Sequence, residues 1–305
     1  MDKKSTKKRW LKLFGIIVGI LVVGIGVYIF SIFQSLNETL DTIHEPVREI
    51  SEKREEKITL EEKEPFSVLL LGVDERTNDR GRSDTMIVLT VNPNTESIEM
   101  VSIPRDTRTE IIGKGIKDKI NHAYAFGGVE MAIATVENFL DIPIDYYVQV
   151  NMEGFKDIVD AVGGITVEND LDFTYEGVHF PVGEITLNGD EALLFARMRK
   201  EDARGDFGRQ LRQRQIIEAV IKEGASLNSL INYRDIFQAL AQNVKTNLTF
   251  DEIMAIQQQY NQAAKTINQH QINGSGQTIG GIWYYIVSEE EQMALQNLLK
   301  HHLEL

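Results

Sequence analysis

The sequence predicts an α/β protein, a three-layer α-β-α domain with a mixed central sheet, preceded by one transmembrane helix. Short apolar runs rich in Val, Ile and Leu, bounded by Gly, Asn and Pro, are typical of strands buried on both faces. Longer segments with apolar residues three and four positions apart are typical of helices that pack on such a sheet. A single uncharged apolar run near the N-terminus predicts the membrane helix.

That run covers residues 13–33, and its 21 uncharged positions are enough to cross a hydrocarbon core about 30 Å thick. Residues 1–12 carry six Lys or Arg against Asp2 alone, which favours the cytoplasmic side. A cleaved signal peptide would have a shorter apolar region and a small-residue cleavage site, but Tyr28 and Phe30 stand near the end of this run. We therefore expect a signal-anchor in the cell membrane, with a single pass, a cytoplasmic N-terminus and an extracellular C-terminal domain.

The next segment, residues 34–64, has fifteen charged side chains in 31 positions and few large apolar groups. This composition predicts a charged, solvated stalk that is partly helical. Residues 65–305 are predicted to form one extracytoplasmic globular domain.

The order of elements in this domain follows from the hydrophobic pattern. Strands are expected at 67–73, 85–91, 97–103 and 146–150, with a hairpin between 171 and 185. Helices are expected at 129–140, 153–162, 190–199 and 208–223. Three capping signals predict helix starts, at Asn188 with Glu191, Thr249 with Glu252 and Ser288 with Glu291. Residues 225–305 are expected to be helical apart from an aromatic strand at 282–287.

Composition excludes several function classes. The 305 residues include no cysteine, which removes thiolate zinc sites, iron–sulfur clusters and cysteine nucleophiles. A net charge of −14 argues against nucleic acid as a partner. The sequence has no phosphate-binding loop, dinucleotide fingerprint, H-E-x-x-H zinc motif or G-x-S-x-G elbow. Chemistry based on a metal ion and arginine therefore remains.

Arginines cluster in three patches of this acidic domain. Arg76, Arg80 and Arg82 follow the first strand, and Arg105 follows the third. The last patch joins the ends of two helices and contains Arg197, Arg199, Arg204, Arg209, Arg212 and Arg214. Guanidinium forks suit phosphate oxygens, and ligands bind in loops at the carboxyl ends of strands in such folds.

Two carboxylates flank the first patch. Asp74 ends the first strand and Asp84 precedes the second, so a hairpin-like connection would bring them together. Hard oxygen ligands beside phosphate-binding arginines are what Mg²⁺ requires. From spacing alone, the more common arrangement is a salt bridge from each Asp to an Arg in a solvated loop.

The helix at 208–223 also has two interpretations. Arg209 and Gln213 lie on one face, and Ile216, Ile217, Val220 and Ile221 follow. The stripe could be a core face with a polar start. Alternatively, the polar groups hold a phosphate at one end while an apolar channel holds a lipid chain. Composition does not decide between them.

Seven motifs resemble those of the LytR-CpsA-Psr family, in the family's order and over about residues 67–224. They are L-L-G-V-D-E-R (70–76), G-R-S-D-T-M (81–86), S-I-P-R-D-T (102–107), K-I-N-H-A-Y-A-F-G-G (119–128), D-A-V-G-G-I-T-V (160–167), L-N-G-D-E-A-L-L-F-A-R-M-R (187–199) and G-D-F-G-R-Q-L-R-Q (205–213). The resemblance implies a membrane-anchored glycopolymer–peptidoglycan phosphotransferase of Gram-positive envelopes. Such an enzyme moves an anionic glycopolymer, here expected to be wall teichoic acid, from an undecaprenyl pyrophosphate carrier to the C6 hydroxyl of N-acetylmuramic acid, forming a phosphodiester.

The resemblance also implies roles for individual residues. Asp74 and Asp84 would hold Mg²⁺, with Mn²⁺ as a substitute, against the pyrophosphate. Arg105, Arg197 and Arg199 would grip its oxygens. The remaining positions of the phosphate cradle would be Arg76, Lys119, Arg209 and Gln213. The expected partners are the polyprenyl pyrophosphate-linked glycopolymer, peptidoglycan and the cytoplasmic membrane, with no nucleic acid.

The general base and the reaction class leave alternatives. Asp84 is the first candidate for the base, yet a carboxylate bound to Mg²⁺ is a poor base, so Asp106 or direct deprotonation remain open. A lipid pyrophosphate hydrolase would use the same site with water as the acceptor. A non-catalytic envelope regulator or lipid-binding protein is the alternative outside enzymes.

Overall fold

The computed structural model describes residues 44–48, 50–74, 81–226 and 243–305. The predicted cytoplasmic tail and membrane helix, residues 1–33, lie outside these ranges, as do Arg76 and Arg80. Within the described ranges, no helix has the length and apolar character needed to cross a bilayer.

The described residues form fourteen strands and six α-helices. The strands are β1 (Phe66–Val73), β2 (Ser83–Asn92), β3 (Ser97–Ser102), β4 (Arg108–Ile111), β5 (Ile116–Lys119), β6 (Tyr146–Val150), β7 (Ile165–Asn169), β8 (Phe173–Tyr175), β9 (Val178–Phe180), β10 (Gly183–Leu187), β11 (Val244–Thr246), β12 (Ile267–Gln271), β13 (Ser275–Ile279) and β14 (Ile282–Ile286). The helices are α1 (His122–Leu140), α2 (Met152–Ala161), α3 (Gly189–Arg197), α4 (Asp206–Ser226), α5 (Phe250–Gln259) and α6 (Glu289–His302).

Six strands form a mixed central sheet in the order β11-β6-β1-β2-β3-β12. β1 runs antiparallel to β2 and parallel to β6, while β3 runs antiparallel to β2 and parallel to β12. β11 closes the other edge, antiparallel to β6. The predicted mixed sheet is therefore confirmed.

Helices cover both faces of this sheet. Alternation along β1 sends Leu69 and Leu71 into one apolar cluster, which α1 and α6 complete with Val136 and Leu299. On the opposite face, Val68 joins a second cluster, against which α4 and α5 pack. Three layers follow from strands that are apolar on both sides.

A third cluster stands beside the sheet. It joins α2, α3, one face of α4 and strands β7 to β10, around Phe173, Phe180 and Phe195. The predicted hairpin between 171 and 185 is present as β8 and β9, whereas β10 pairs with β7. This cluster fixes α3 and α4 relative to each other.

Helix α1 begins seven residues before its predicted start at 129. Gly128 interrupts it with φ 68° and ψ −153°, a left-handed conformation that favours glycine. The apolar stripe detects only the part after this break, because the residues before it do not continue the same periodicity.

The expectation for the C-terminal part is confirmed for the strand near 282–287 and for the helices after Thr249 and Ser288, but it is wrong for three further strands. Residues 225–305 were expected to be helical with one strand, but their described portion contributes β11, β12, β13 and β14. β11 and β12 form both edges of the central sheet. Both strands are short, with three residues in β11 and five in β12, so neither produces a strong apolar alternation.

The solvated stalk is also wrong for the described residues between 44 and 64. Ile58 and Leu60 are buried in the second apolar cluster. Arg48 pairs with the buried Glu137, and Arg54 Nε lies 2.6 Å from Asp145 Oδ1. The charges that suggested solvation are thus partly neutralised by carboxylates of the domain, and the globular unit begins upstream of the predicted boundary at 65.

Candidate active site

The β1–β2 hairpin brings the two predicted carboxylates to the same end of the sheet. Val73 pairs with Ser83, so Asp74 follows the last ladder residue of β1 and Asp84 is the second residue of β2. Both side chains line one cavity. Gly72 faces Thr85 so closely that a Cβ at this position would lie 2.9 Å from Thr85 Cβ. The glycine therefore allows the two strands to approach at the cavity wall.

A first group of charges surrounds Arg105. Its Nη1 lies 3.0 Å from Asp84 Oδ1, and its Nε lies 3.7 Å from Asp106 Oδ2. Lys119, the last residue of β5, places Nζ 2.6 Å from Asp106 Oδ1. The β4–β5 hairpin thus adds the predicted Lys119 to the corner formed by Arg105 and Asp106. All four side chains retain contact with solvent.

A second group lies at the start of α4. Arg209 Nη2 is 2.6 Å from Asp206 Oδ1, and Arg199 Nε is 3.9 Å from the same oxygen. Sequence reasoning did not assign a role to Asp206, although it stands inside the motif at 205–213. Its position three residues before Arg209 on a helix was the available signal.

The two groups interact electrostatically. Burial is the main cause that lowers the pKa of Arg209, and the positive charges of Arg105 and Arg199 lower it further against the opposing effect of Asp206. Burial also acts to lower the pKa of Arg105, but Asp84 outweighs it and raises that pKa above its ordinary value. The mouth is therefore a concentrated set of cations held in place by carboxylates.

Behind this mouth lies a cavity of about 550 Å³. Its polar lining contains five of the predicted site residues, namely Asp74, Asp84, Arg197, Arg209 and Gln213, together with Thr85 and Asn151. Its apolar lining includes the predicted stripe of α4, which is Ile216, Ile217, Val220 and Ile221. The cavity is charged at one end and apolar along its body.

The sheet and two further helices complete the apolar wall. β1 and β6 contribute Leu70 and Val148, α3 contributes Leu193, and α2 contributes Phe155 and Ile158. The sequence analysis did not connect α2 with the site. Its apolar residues at 155, 158, 159 and 162 were visible as a helical stripe, but a stripe does not show whether it faces a core or a cavity.

A buried arginine holds the loop between α3 and α4. Arg212 has only 1% of its side chain exposed; its Nε donates to Phe195 O at 3.0 Å, and its Nη1 donates to Asp202 Oδ2 at 2.7 Å. Its Nη2 donates to Met198 O. Helix α3 ends at Arg197, two residues before the predicted end, because Met198 turns to extended backbone at φ −57° and ψ 132°. Arg212 thus satisfies carbonyls on both sides of Arg197.

The predicted site residues are largely brought together. Five line the cavity, and Arg105, Lys119 and Arg199 join them through the ion pairs with Asp84, Asp106 and Asp206. Arg76 lies outside the described residues. The alternative arrangement for Asp84 is also present, since it is salt-bridged to Arg105. The salt bridge and the position on the cavity wall are compatible.

The carboxylates at the mouth offer oxygen ligands to a divalent cation. Within the described ranges, no three His, Cys, Asp or Glu side chains form a metal-binding group. Asp74 and Asp84 are two carboxylates on one wall, and Mg²⁺ is commonly bound through one or two carboxylates plus substrate phosphates and water. The residues therefore fit an ion that binds together with a phosphorylated substrate.

Comparison with known proteins places this site in a family. The LytR_cpsA_psr family model matches residues 29–301. The polyisoprenyl-teichoic acid–peptidoglycan teichoic acid transferase TagU of Bacillus mycoides (strain KBAB4) is 54% identical over 291 residues, covering 95% of this chain and 96% of that protein. TagU of Bacillus subtilis (strain 168) is 51% identical over 303 residues, covering 99% of each.

Solved structures agree. The crystal structure of B. subtilis TagU is 52% identical with a TM-score of 0.66, covering 80% of this chain and 98% of that one. TagT bound to LI-WTA is 31% identical with a TM-score of 0.75, covering 86% of this chain and all of that one. The names of these relatives confirm the predicted enzyme class, a transferase, and the match extends well beyond residues 67–224. The chain belongs to the LytR-CpsA-Psr family.

Proposed function

We propose that this protein is a Mg²⁺-dependent phosphotransferase that moves an anionic glycopolymer, wall teichoic acid, from a polyprenyl pyrophosphate carrier to peptidoglycan. The observation that carries the proposal is one cavity of about 550 Å³ with a cationic mouth and an apolar body. A lipid pyrophosphate has the same division between a charged head and a long apolar chain. The relatives named as polyisoprenyl-teichoic acid–peptidoglycan transferases support the identity of both substrates.

The apolar body accounts for recognition of the donor lipid. Ile217 and Val220 of α4, Leu70 and Val148 of the sheet and Phe155 of α2 line this body together. A prenyl chain between these walls exchanges water for apolar contacts, which stabilises the complex in proportion to the area buried. The pyrophosphate then lies at the mouth, within reach of the arginines.

The arginines supply positioning and charge neutralisation. Arg105 and Arg209 are held by Asp84 and Asp206, so their guanidinium groups are oriented before a substrate binds. Phosphoryl transfer depends mainly on such preorganised charge, and it needs no protein nucleophile. Arg197, which lines the cavity, completes the phosphate contacts.

Asp74 and Asp84 would hold Mg²⁺ at the end of the β1–β2 hairpin. When bound, the ion would neutralise phosphate charge and polarise the phosphoryl oxygens. Asp84 contacts Arg105 through Oδ1, and the second oxygen of the carboxylate could hold the ion while that contact remains. Mn²⁺ prefers the same oxygen ligands and would substitute.

The bonds exchanged in the transfer follow from the product. The C6 hydroxyl oxygen of N-acetylmuramic acid attacks the phosphorus that carries the polymer, and the bridging bond to the second phosphate breaks. Polyprenyl phosphate leaves, and the hydroxyl proton is released. Asp84 and Asp106 are the candidate carboxylates for accepting this proton, but each already lies against a cation, Arg105 and Lys119 respectively. Direct deprotonation by a phosphoryl oxygen is thus a competing route.

The proposed location follows from the donor. A polyprenyl carrier resides in the membrane, and the uncharged run at 13–33 beside a basic tail supports a single-pass anchor with the catalytic domain outside the cell. The anchor would keep the cavity close to the bilayer that supplies the lipid.

Reconstitution tests this function. The full-length protein in nanodiscs is incubated with lipid-linked teichoic acid, Mg²⁺ and peptidoglycan oligomers, and the products are identified by mass spectrometry. We expect a phosphodiester-linked polymer–peptidoglycan conjugate that disappears on chelation of the metal ion. Release of free polymer phosphate at the same rate with and without acceptor would identify a hydrolase. Donor binding without turnover would identify a lipid-binding protein.

A further inference from the structure

The β13–β14 hairpin presents exposed apolar side chains beside the cationic mouth. Its turn is Gly280–Gly281, and the next two residues, Ile282 and Trp283, are 49% and 48% exposed. The strand opposite is polar, with Gln277 and Thr278 in contact with solvent and in register with Tyr284 and Trp283. Trp283 is thus half-exposed opposite a polar strand, and its indole ring is not part of the core.

This hairpin is attached to the segment that follows Arg105. Tyr285 N donates to Asp106 O at 2.9 Å, and Thr107 forms a parallel bridge with Tyr285. Strand β14 is therefore hydrogen-bonded along the backbone that follows Arg105, which fixes the hairpin next to Arg105 and Asp106.

The alternation of β14 determines which face Trp283 occupies. Tyr284 lies on one face, where Arg108 packs over its ring at 5.6 Å. Tyr285 lies on the other face, and its ring is 5.7 Å from that of Phe207, which follows Asp206. Since side chains two residues apart in a strand share a face, Trp283 projects on the same side as Tyr285, about 7 Å farther along the strand. Phe207 in turn follows Asp206, the partner of Arg199 and Arg209, in the chain.

Gly276 leaves space for the indole. A Cβ at position 276 would lie 2.8 Å from Trp283 Nε1, so the ring extends diagonally over β13 at the glycine. One side of the ring rests on the strand, while roughly half of the residue's surface remains open. A flat aromatic surface of this kind is typical of a stacking platform.

We infer that Trp283 and the polar edge of β13 form a subsite for the saccharide rings of the acceptor glycan. The C–H face of a pyranose ring is apolar and packs on the negative face of an aromatic ring. Its hydroxyl groups, which lie around the ring edge, would face Thr278, which pairs with Trp283 and therefore shares its face of the hairpin. This inference rests on the proposed function, since it gives the acceptor strand a place beside the Arg105–Asp106 corner of the mouth.

The chemistry of the hairpin favours a glycan over a membrane surface. Besides Ile282 and Trp283, its exposed residues are Ser275, Gly276, Gln277, Thr278, Gly280 and Gly281. Membrane-surface elements instead carry a continuous apolar face flanked by Lys or Arg. The described hairpin has no basic residue between 275 and 286.

Fluorescence tests the subsite without any turnover. The chain contains two tryptophans, Trp10 and Trp283, so the W10F variant reports on Trp283 alone. Full-length W10F in nanodiscs is titrated with peptidoglycan oligomers in the absence of donor. We expect a saturable blue shift of the emission, which persists in a W10F/I282A control. An unchanged spectrum at saturating oligomer, or quenching by brominated lipids in the nanodisc, would overturn the inference, the latter in favour of membrane contact.

Kinetics separates this inference from the proposed function. W283A should raise the acceptor KM about tenfold and leave the donor KM within about twofold, and W283F should restore most of the loss. V182A, which truncates an exposed apolar residue in the connection between β9 and β10, is the matched control. Normal transfer with an unchanged acceptor KM in W283A would reject the subsite but not the function. Absence of transfer by the wild-type protein would reject the function, while the titration would still decide whether Trp283 binds glycan.

Discussion

At the scale of single residues, the mouth of the cavity is a set of cations that already have partners. Arg105 lies against Asp84, and Arg209 lies against Asp206. Partnered arginines lose less side-chain freedom when a phosphate arrives, because their orientation is already fixed. The carboxylates also prevent the cations from repelling one another in the absence of substrate.

Loss of Arg105 tests the phosphate cradle. R105A removes a charged contact to the transferring group, so we expect kcat to fall about 100- to 1000-fold in the reconstituted transfer assay. K222A removes a cation from an exposed i,i+4 pair on α4 and should retain activity within about twofold. Equal activity of R105A and K222A, with both proteins folded by circular dichroism, would contradict the role given to Arg105.

At the scale of elements, α4 performs two tasks along one axis. Its first two turns carry Arg209 and Gln213 to the mouth, and the following two turns carry Ile217 and Val220 to the apolar wall. Its start is fixed by Asp202, which approaches so closely that a Cβ at Gly208 would collide with the carboxylate. One helix therefore couples the position of the lipid to that of its pyrophosphate.

Narrowing the cavity tests the apolar wall. I217W places a larger side chain between α4 and the sheet, and we expect the KM for a full-length polyprenyl donor to rise at least about tenfold. A donor with a short prenyl chain should be affected much less, because it occupies less of the cavity. K222W adds the same side chain to the solvent side of the helix and should leave both KM values unchanged. Equal effects of I217W on long and short donors would place the lipid elsewhere.

The buried Arg212 is the principal support of the α3–α4 loop. R212M leaves Asp202 and two backbone carbonyls without this donor, so we expect the free energy of unfolding to fall by about 3–5 kcal/mol. The other partner of Asp202 is Arg204, whose side chain is 37% exposed. R204M should therefore lower the free energy of unfolding by only about 1 kcal/mol. Urea unfolding followed by circular dichroism measures both. A smaller loss in R212M than in R204M would show that the loop is held by other contacts.

At the scale of the whole molecule, stability depends on ionised carboxylates and on one buried histidine. Hydrogen bonds from Lys300 and Lys53 lower the pKa of Asp141, and the bond from Arg204 lowers that of Asp170. Burial acts to raise the pKa of Asp202, but Arg204 and Arg212 outweigh it and lower that pKa far below its ordinary value. Burial lowers the pKa of His302, whose Nδ1 lies 2.7 Å from Thr90 Oγ1.

These shifts predict a two-step loss of stability in acid. Each group binds protons more readily when unfolded, so its contribution is complete above its unfolded pKa and is lost as pH falls. The midpoint of thermal unfolding should decrease first below about pH 6.5, from His302, and then below about pH 4, from the carboxyls. H302Q should remove the first step and keep the second. A midpoint that is constant between pH 7 and pH 5 in the wild-type protein would contradict the account of His302.

Much of the fold was predictable because its strongest signals are local. The strands at 67–73, 85–91 and 146–150 are buried on both faces, and the capping residues Asn188 and Thr249 accept the expected bonds from Glu191 and Glu252. The edge strands β11 and β12 were not predicted, because short strands are defined by their partners rather than by their own periodicity.

The site residues also separate into those that local sequence predicts and those that depend on tertiary packing. Arg209 and Gln213 could be placed on one face from their spacing, and both line the cavity. The contributions of α2 and of Asp206 depend on tertiary packing, which spacing along one helix does not encode. Arg212 looked like one more cation of the arginine patch, and only its burial distinguishes it from Arg209.

The central claim is that one cavity holds the lipid chain while its mouth holds the pyrophosphate. A crystal structure of the protein with a polyprenyl pyrophosphate tests it most directly. We predict density for the chain between α4 and the central sheet, with phosphate oxygens within hydrogen-bonding distance of Arg105, Arg197 and Arg209. Density for the lipid on another surface, or a pyrophosphate remote from these arginines, would contradict the account.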